Sequence, residues 1–142
     1  GFTRFFVINN HLGNTPPLTE VLWDAQQKYG IKYGQVGFWQ YLPVITDQLG
    51  IWDTPKPHAH ASEAQTSVLL YLYPELVHME KAVNTPFKPD NYPGIIKDIP
   101  YCKQTDSGLL GDATKATAEK GKIAVETALE AMAKYIQEQL EK

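Results

Sequence analysis

Four side chains in this sequence stand out as candidates for metal or proton chemistry by type and grouping: His11, His58, His60 and Glu63. Imidazole nitrogen and carboxylate oxygen are standard ligands for zinc and manganese. A metal held this way acidifies a bound water enough to supply hydroxide near neutral pH. His11 stands in the polar loop Asn9-Asn10-His11-Leu12-Gly13-Asn14, and the other three lie together in Pro57-His58-Ala59-His60-Ala61-Ser62-Glu63. A carboxylate in a first helical turn is favoured by the helix dipole, so the second cluster could hold a metal, activate water, or do both. Spacing leaves this open. His58-x-His60 is not a zinc signature of the kind that His-Glu-x-x-His makes on a helix, and a loop histidine is equally explained as a hydrogen-bonded surface residue.

These side chains need elements to position them. Arg4 to Asn9 is a short apolar run that reads as a buried strand of an α/β sheet, and the His11 loop follows at its carboxyl end, where open α/β sheets build sites. Thr15-Pro16-Pro17 then starts a helix, with Thr or Asn as cap and proline tolerated in the first turn. Leu18, Val21, Leu22, Ala25 and Tyr29 form one apolar stripe, and Gly30 is a C-terminal stop. Val36 to Leu42 reads as a second strand. Val44, Leu49 and Ile51 suit a short helix ending near Gly50, and a loop through Trp52 and Asp53 follows. Glu63 to Tyr73 reads as a helix with Val68, Leu69, Leu72 and Tyr73 as its apolar face, ended by Pro74. Asn84 to Gln104, with four prolines, is irregular except for a short strand near Ile95-Ile96. Thr117 to Leu140 is a long helix with Val125, Leu129, Met132, Ile136 and Leu140 as its stripe, capped by Asp112 or Thr114. Strands alternating with helices indicate an α/β layered fold in a single domain, 1–142.

The bulk properties narrow the function classes. A net charge of −3 gives no electrostatic reason to expect nucleic acid or an anionic membrane. No apolar run reaches the roughly 18 to 20 residues of a membrane helix, and the first residues are too short and too soon polar for a secretory signal. The single cysteine, Cys102, excludes an internal disulfide framework and reads as a buried or idle thiol. A cytoplasmic location is expected. His78 reads as a surface or helix-end residue. Trp23, Trp39 and Trp52 are core residues by default, with Trp39 or Trp52 as pocket-lining alternatives. The chain opens on Gly1 and runs almost directly into a strand, so a preceding segment is expected.

Three stretches, taken together, resemble the creatininase (creatinine amidohydrolase) family. Phe5-Phe6-Val7-Ile8-Asn9-Asn10-His11-Leu12-Gly13-Asn14 is similar to the family's apolar strand and Asn-Gly-His-Gly-Gly-Asn loop. His60-Ala61-Ser62-Glu63-Ala64-Gln65-Thr66-Ser67, followed by Tyr73-Pro74-Glu75-Leu76-Val77, resembles its His-Ala-Gly-Glu-x-Glu-Thr-Ser helix start and its later Pro-Glu-Leu-Val. Gly108-Leu109-Leu110-Gly111-Asp112-Ala113-Thr114, running on to Gly121, is similar to its Gly-x-x-Gly-Asp-Pro-Thr segment. The departures are Asn10, Leu12 and Ser62 in place of glycines, Gln65 in place of a glutamate and Ala113 in place of a proline.

The resemblance implies a creatininase-like layered fold, of which this chain is the C-terminal half: part of a mostly parallel sheet flanked by helices. It implies a two-metal site, zinc with manganese or iron, that hydrolyses a C–N bond of a cyclic amide or formamide. His11 and Glu63 match metal ligands, and Glu63 is also placed at the reacting centre. His60 matches a histidine beside the substrate, suited to proton transfer. Leu12, Trp39, Trp52 and His58 are the candidates for contacting a small-molecule substrate. The remaining ligands, a Glu-x-His pair and an Asp, belong to the family's N-terminal half. A second chain carrying that half, within a hexamer or other higher oligomer, is therefore the expected partner. The alternatives are a metal-dependent lyase, isomerase or C–C hydrolase on the same scaffold, and a non-catalytic structural subunit.

Overall fold

The apolar run Arg4–Asn9 forms strand β1, and its neighbour β2 is Lys32–Gly37. They pair in parallel, with Arg4 opposite Lys32 and Asn9 opposite Gly37. Helix α1, Thr15–Tyr29, makes the crossover that a parallel pair requires. This computed structural model describes residues 1–86, 100 and 103–140, without the side chain of Leu140. The remaining elements are α2 (Phe38–Thr46), α3 (Glu63–Leu72), the two-residue strands β3 (Asn84–Thr85) and β4 (Gly111–Asp112), and α4 (Ala118–Leu140). β3 and β4 pair antiparallel. The described chain divides into two compact units: Gly1–Leu49 with the chain from Thr127 onward, and Gly50–Glu126. The architecture is α/β, as expected.

In the first unit, Pro16 and Pro17 sit in the opening turn of α1, and Gly30 ends it in the left-handed region at φ 66°. The expected apolar stripe is corrected. Leu22 is buried, Leu18 and Ala25 are half-buried, and Val21 and Tyr29 are exposed. Trp23 is exposed as well, so it is not a core residue. Two strands offer a crossover helix too little surface to cover a full stripe. The second strand also differs from the expectation, because β2 stops at Gly37 and the apolar run from Phe38 is helical. Leu42 and Thr46, four residues apart, are both fully buried, and the Thr46 hydroxyl donates to the Leu42 carbonyl at 2.8 Å. Four residues is close to one helical turn, so both fall on one face of α2. A 3-10 turn, Asp47–Leu49, follows and Gly50 (φ 63°) closes it, near the expected end. The Phe6 and Tyr135 rings pack at 5.6 Å in this unit.

In the second unit, α3 has the expected bounds to within one residue but a different buried face. Glu63, Ala64, Ser67 and Val68 are buried, whereas Leu69, Leu72 and Tyr73 are exposed. The reason is a close helix crossing: a Cβ on Gly121 of α4 would lie 1.9 Å from the Ser67 carbonyl oxygen. Only small side chains fit between backbones this near. Within this unit the buried positions of α4 are accordingly Gly121, Ala124 and Val125; in the part of α4 that belongs to the first unit, Ala128 and Met132 are buried, Leu129 is exposed and Ile136 half-buried. The cap of α4 is Thr117, whose hydroxyl accepts from Lys120 N at 3.2 Å. The expected caps, Asp112 and Thr114, bond to each other instead, with both the Thr114 N–H and hydroxyl on Asp112 Oδ1. His78 is exposed, with Nδ1 3.1 Å from Glu80 Oε1. The strand expected near Ile95-Ile96 and the thiol of Cys102 lie outside the described residues. Among the described residues no helix is long and apolar enough to cross a membrane.

Candidate active site

The segment Pro57–Glu63 enters α3 through a tight turn. Ala61 takes a positive φ of 53°, a conformation that costs an L-residue roughly 1–2 kcal/mol. Gln65 Oε1 accepts from Ala61 N at 2.6 Å and Ala64 N donates to the Pro57 carbonyl, which together hold the turn. Ser62 is fully buried, and its hydroxyl accepts from Asp112 N at 3.0 Å. Gly111 makes that approach possible: its φ is 111°, and a Cβ there would lie 2.5 Å from Ser62 Oγ. His60 is exposed, with Nδ1 2.8 Å from the Gly108 carbonyl oxygen. A carbonyl oxygen only accepts, so Nδ1 carries the proton, and Nε2 is the basic nitrogen of the neutral ring. His58 and Trp52 are half-buried and stack edge to face at 5.2 Å.

Glu63 faces inward from the first turn of α3 and is fully buried. The Asp53 N–H reaches Oε1 at 3.0 Å and Oε2 at 3.2 Å. The Thr54 N–H and hydroxyl reach Oε2 at 2.9 and 2.7 Å, and the Lys120 ammonium donates to Oε1. Burial pushes the Glu63 carboxyl upward and is the largest single influence. The Asp53 N–H, the Lys120 ammonium and both Thr54 donors together outweigh it, so the carboxyl titrates below its ordinary value. Burial pulls Lys120 down, but its bonds to Asp53 and Glu63 win and hold it above the usual lysine range. The exposed Asp53 is lowered by its bond to Lys120.

In the first unit, Asn9 is the buried organiser of the His11 loop. Its Nδ2 donates to the His11 carbonyl at 2.8 Å and to the Thr15 hydroxyl at 3.2 Å. Its Oδ1 accepts from His11 N and from Asn14 Nδ2. The His11 ring is exposed, and its Nδ1 accepts from Gly13 N at 3.1 Å. In the neutral ring that leaves the proton on Nε2. Leu12 is exposed beside it. Trp39 is half-buried, edge to face with Phe38 at 5.0 Å.

The expected residues thus fall in two groups. The second unit brings Trp52 against His58 and, through the adjoining Asp53-Thr54, binds that loop to Glu63; His60 is held by Gly108. His11, Leu12 and Trp39 belong to the first unit. The donor set does not fit a metal pair. Among the described residues no three His, Cys, Asp or Glu side chains group so as to hold an ion. Both Glu63 oxygens already accept from a cation, a hydroxyl and two N–H groups. His11 can offer a nitrogen lone pair to an ion only after Gly13 N–H releases Nδ1 or the Nε2 proton leaves. Sequence reasoning missed Lys120, Asp53, Thr54 and the organising role of Asn9. Asn9 had a signal, a lone amide closing an apolar strand; Lys120 had none, being one lysine on a charged helix.

Comparison with known proteins follows the same lines. The model of the creatinine amidohydrolase family matches residues 1–136. The creatinine amidohydrolase of Pseudomonas putida is 27% identical over 153 positions, covering 98% of this chain and 56% of that enzyme. A 3-dehydro-scyllo-inosose hydrolase of Thermotoga maritima is 32% identical over 108 positions, covering 61% of this chain and 33% of that protein. A crystal structure of creatininase superposes with a TM-score of 0.75 at 25% identity, over 98% of this chain and 57% of the solved one. The chain spans little more than half the length of these curated relatives at most. With the match running through all three motifs, the chain belongs to the creatinine amidohydrolase family.

Proposed function

We propose that this chain is the C-terminal half of a family hydrolase that cleaves a C–N bond of a cyclic amide or formamide. The observation that carries the reading is the family match over residues 1–136, together with a histidine, His60, whose tautomer is fixed by the Gly108 carbonyl. In this reading Nε2 of His60, unprotonated in the neutral ring, takes a proton from the attacking water and passes it to the leaving nitrogen, and proton transfer by a positioned side chain is worth roughly 10²–10⁴ in rate. Trp52 and His58 offer flat surfaces to a planar ring, and Leu12 and Trp39 are the further substrate contacts. Divalent metals, zinc with manganese or iron, are the cofactors; solved creatininases include a zinc–zinc form and a manganese form. Such an ion acidifies bound water. A second chain with a Glu-x-His pair and an Asp would hold it, with His11 as this chain's contribution once Gly13 releases it. The assembly is a cytoplasmic hetero-oligomer, hexameric or of similar order.

The test is hydrolysis of creatinine and a panel of formamides by the native assembly supplied with zinc and manganese. Amide turnover that falls about 10²-fold or more in His60→Ala, with metal content unchanged, supports the reading. No turnover on any amide, or full turnover in the variant, rejects it. A second reading has its own support. An inosose contains no amide, so the Thermotoga maritima hydrolase favours hydrolysis of another bond, such as a C–C bond, on the same scaffold. Turnover of cyclic ketones without amide turnover would select it, and neither activity would leave the structural-subunit reading.

A further inference from the structure

We propose that Glu63 is a positioning residue, tied by Lys120 so as to hold the 52–54 loop, and that it takes no part in metal binding. Glu63 is the only charged side chain among the described residues that is buried, and every donor around it is accounted for. A carboxylate offers about four lone-pair sites. Here they meet the Asp53 N–H, the Thr54 N–H, the Thr54 hydroxyl and the Lys120 ammonium. Lys120 is equally engaged. Its three protons have three acceptors: Glu63, Asp53 Oδ2 at 2.7 Å and the Lys115 carbonyl at 2.8 Å. The compensating charge is therefore built into α4, and an incoming ion would have to displace it.

The geometry also gives the tie an output. Asp53 and Thr54 are fastened to the first turn of α3, and Trp52, directly before them, stands edge on to the His58 ring at 5.2 Å. The 52–54 loop and the approach to α3 are thus registered to each other through one carboxylate. The residue acts through the loop, and the face it sets is the Trp52–His58 pair. Only the use of that pair as a substrate wall rests on the proposed function; the tie itself does not.

The experiment compares the native protein with Glu63→Gln, Lys120→Met and the double variant, by metal analysis after zinc or manganese loading, melting temperature, and the NMR signals of the His58 ring. Equal metal content in Glu63→Gln and the native protein is expected, together with shifted His58 signals as Trp52 moves. Lys120→Met, which strands a buried carboxylate, is expected to melt lower by more than about 10 °C. The double variant should recover part of that loss, because it removes both charges. Metal lost selectively in Glu63→Gln would overturn the proposal, as would unmoved His58 signals or a double variant no better than Lys120→Met. If Lys120→Met fails to fold, the double variant and Glu63→Gln carry the test. A native protein that binds no metal while the tie behaves as described would count against the metallohydrolase reading alone.

Discussion

Glu63 shows how one side chain can be chemically suited to a role and physically engaged in another. Its carboxyl is depressed below the ordinary 4.5 in spite of burial, so the charged form belongs to the folded state. A depressed carboxyl contributes stability that is present above the unfolded value and lost as pH falls through the folded one. Lys120 works in the opposite sense: its contribution is present below the ordinary 10.5 and lost as pH rises through its raised folded value. The stability gap between the native protein and Glu63→Gln is therefore expected to be about 1–3 kcal/mol at neutral pH. It should narrow as denaturation is measured at pH values falling below 4.5. A gap that keeps its size down to about pH 3 would contradict the charge assignment.

Among the elements, the α3–α4 crossing sets the tightest condition. Glycine to alanine in an exposed helix interior normally stabilises by roughly 0.5–1 kcal/mol. At Gly121 the sign reverses, because the new Cβ meets backbone, the Ser67 carbonyl, at 1.9 Å. Gly121→Ala is expected to cost about 1–3 kcal/mol in urea denaturation, and a variant as stable as the native protein would show that the two helices can part without penalty. The sequence made α1, α3 and α4 legible because their caps, stops and periodicity are local. It misled at Phe38–Leu42, since a short apolar run fits a strand and a buried helix equally. It misled again on the faces of α1 and α3, because which apolar residues are covered depends on what lies opposite. The three motifs located His60 and His11 but could not reveal Lys120 on Glu63, a contact between residues 57 apart.

Taken whole, the described molecule exposes much apolar surface for its size. Phe5 and Ile8 of β1 are 42% and 50% exposed, and Val21, Trp23 and Tyr29 of α1 are more so. Parallel strands are normally covered on both faces, and two strands alone are marginal in water. The chain by itself is expected to bind a hydrophobic dye such as ANS and to associate with itself. In the native assembly, native mass spectrometry should find a second polypeptide, and the dye signal should fall. A monodisperse, dye-silent single chain would count against the partner reading.

The donors around Glu63 also imply an order of assembly. Thr54 lies only 9 residues away and Lys120 57. Loop-closure entropy makes the second contact costlier by roughly 1.6 kcal/mol. The neutral donors can gather early, while the cation must wait for α4 to dock. Until it does, a carboxylate drawn out of water lacks its counter-charge, which favours keeping Glu63 wet until the two helices meet. Closure of this core and arrival of α4 thereby become a single late event in folding.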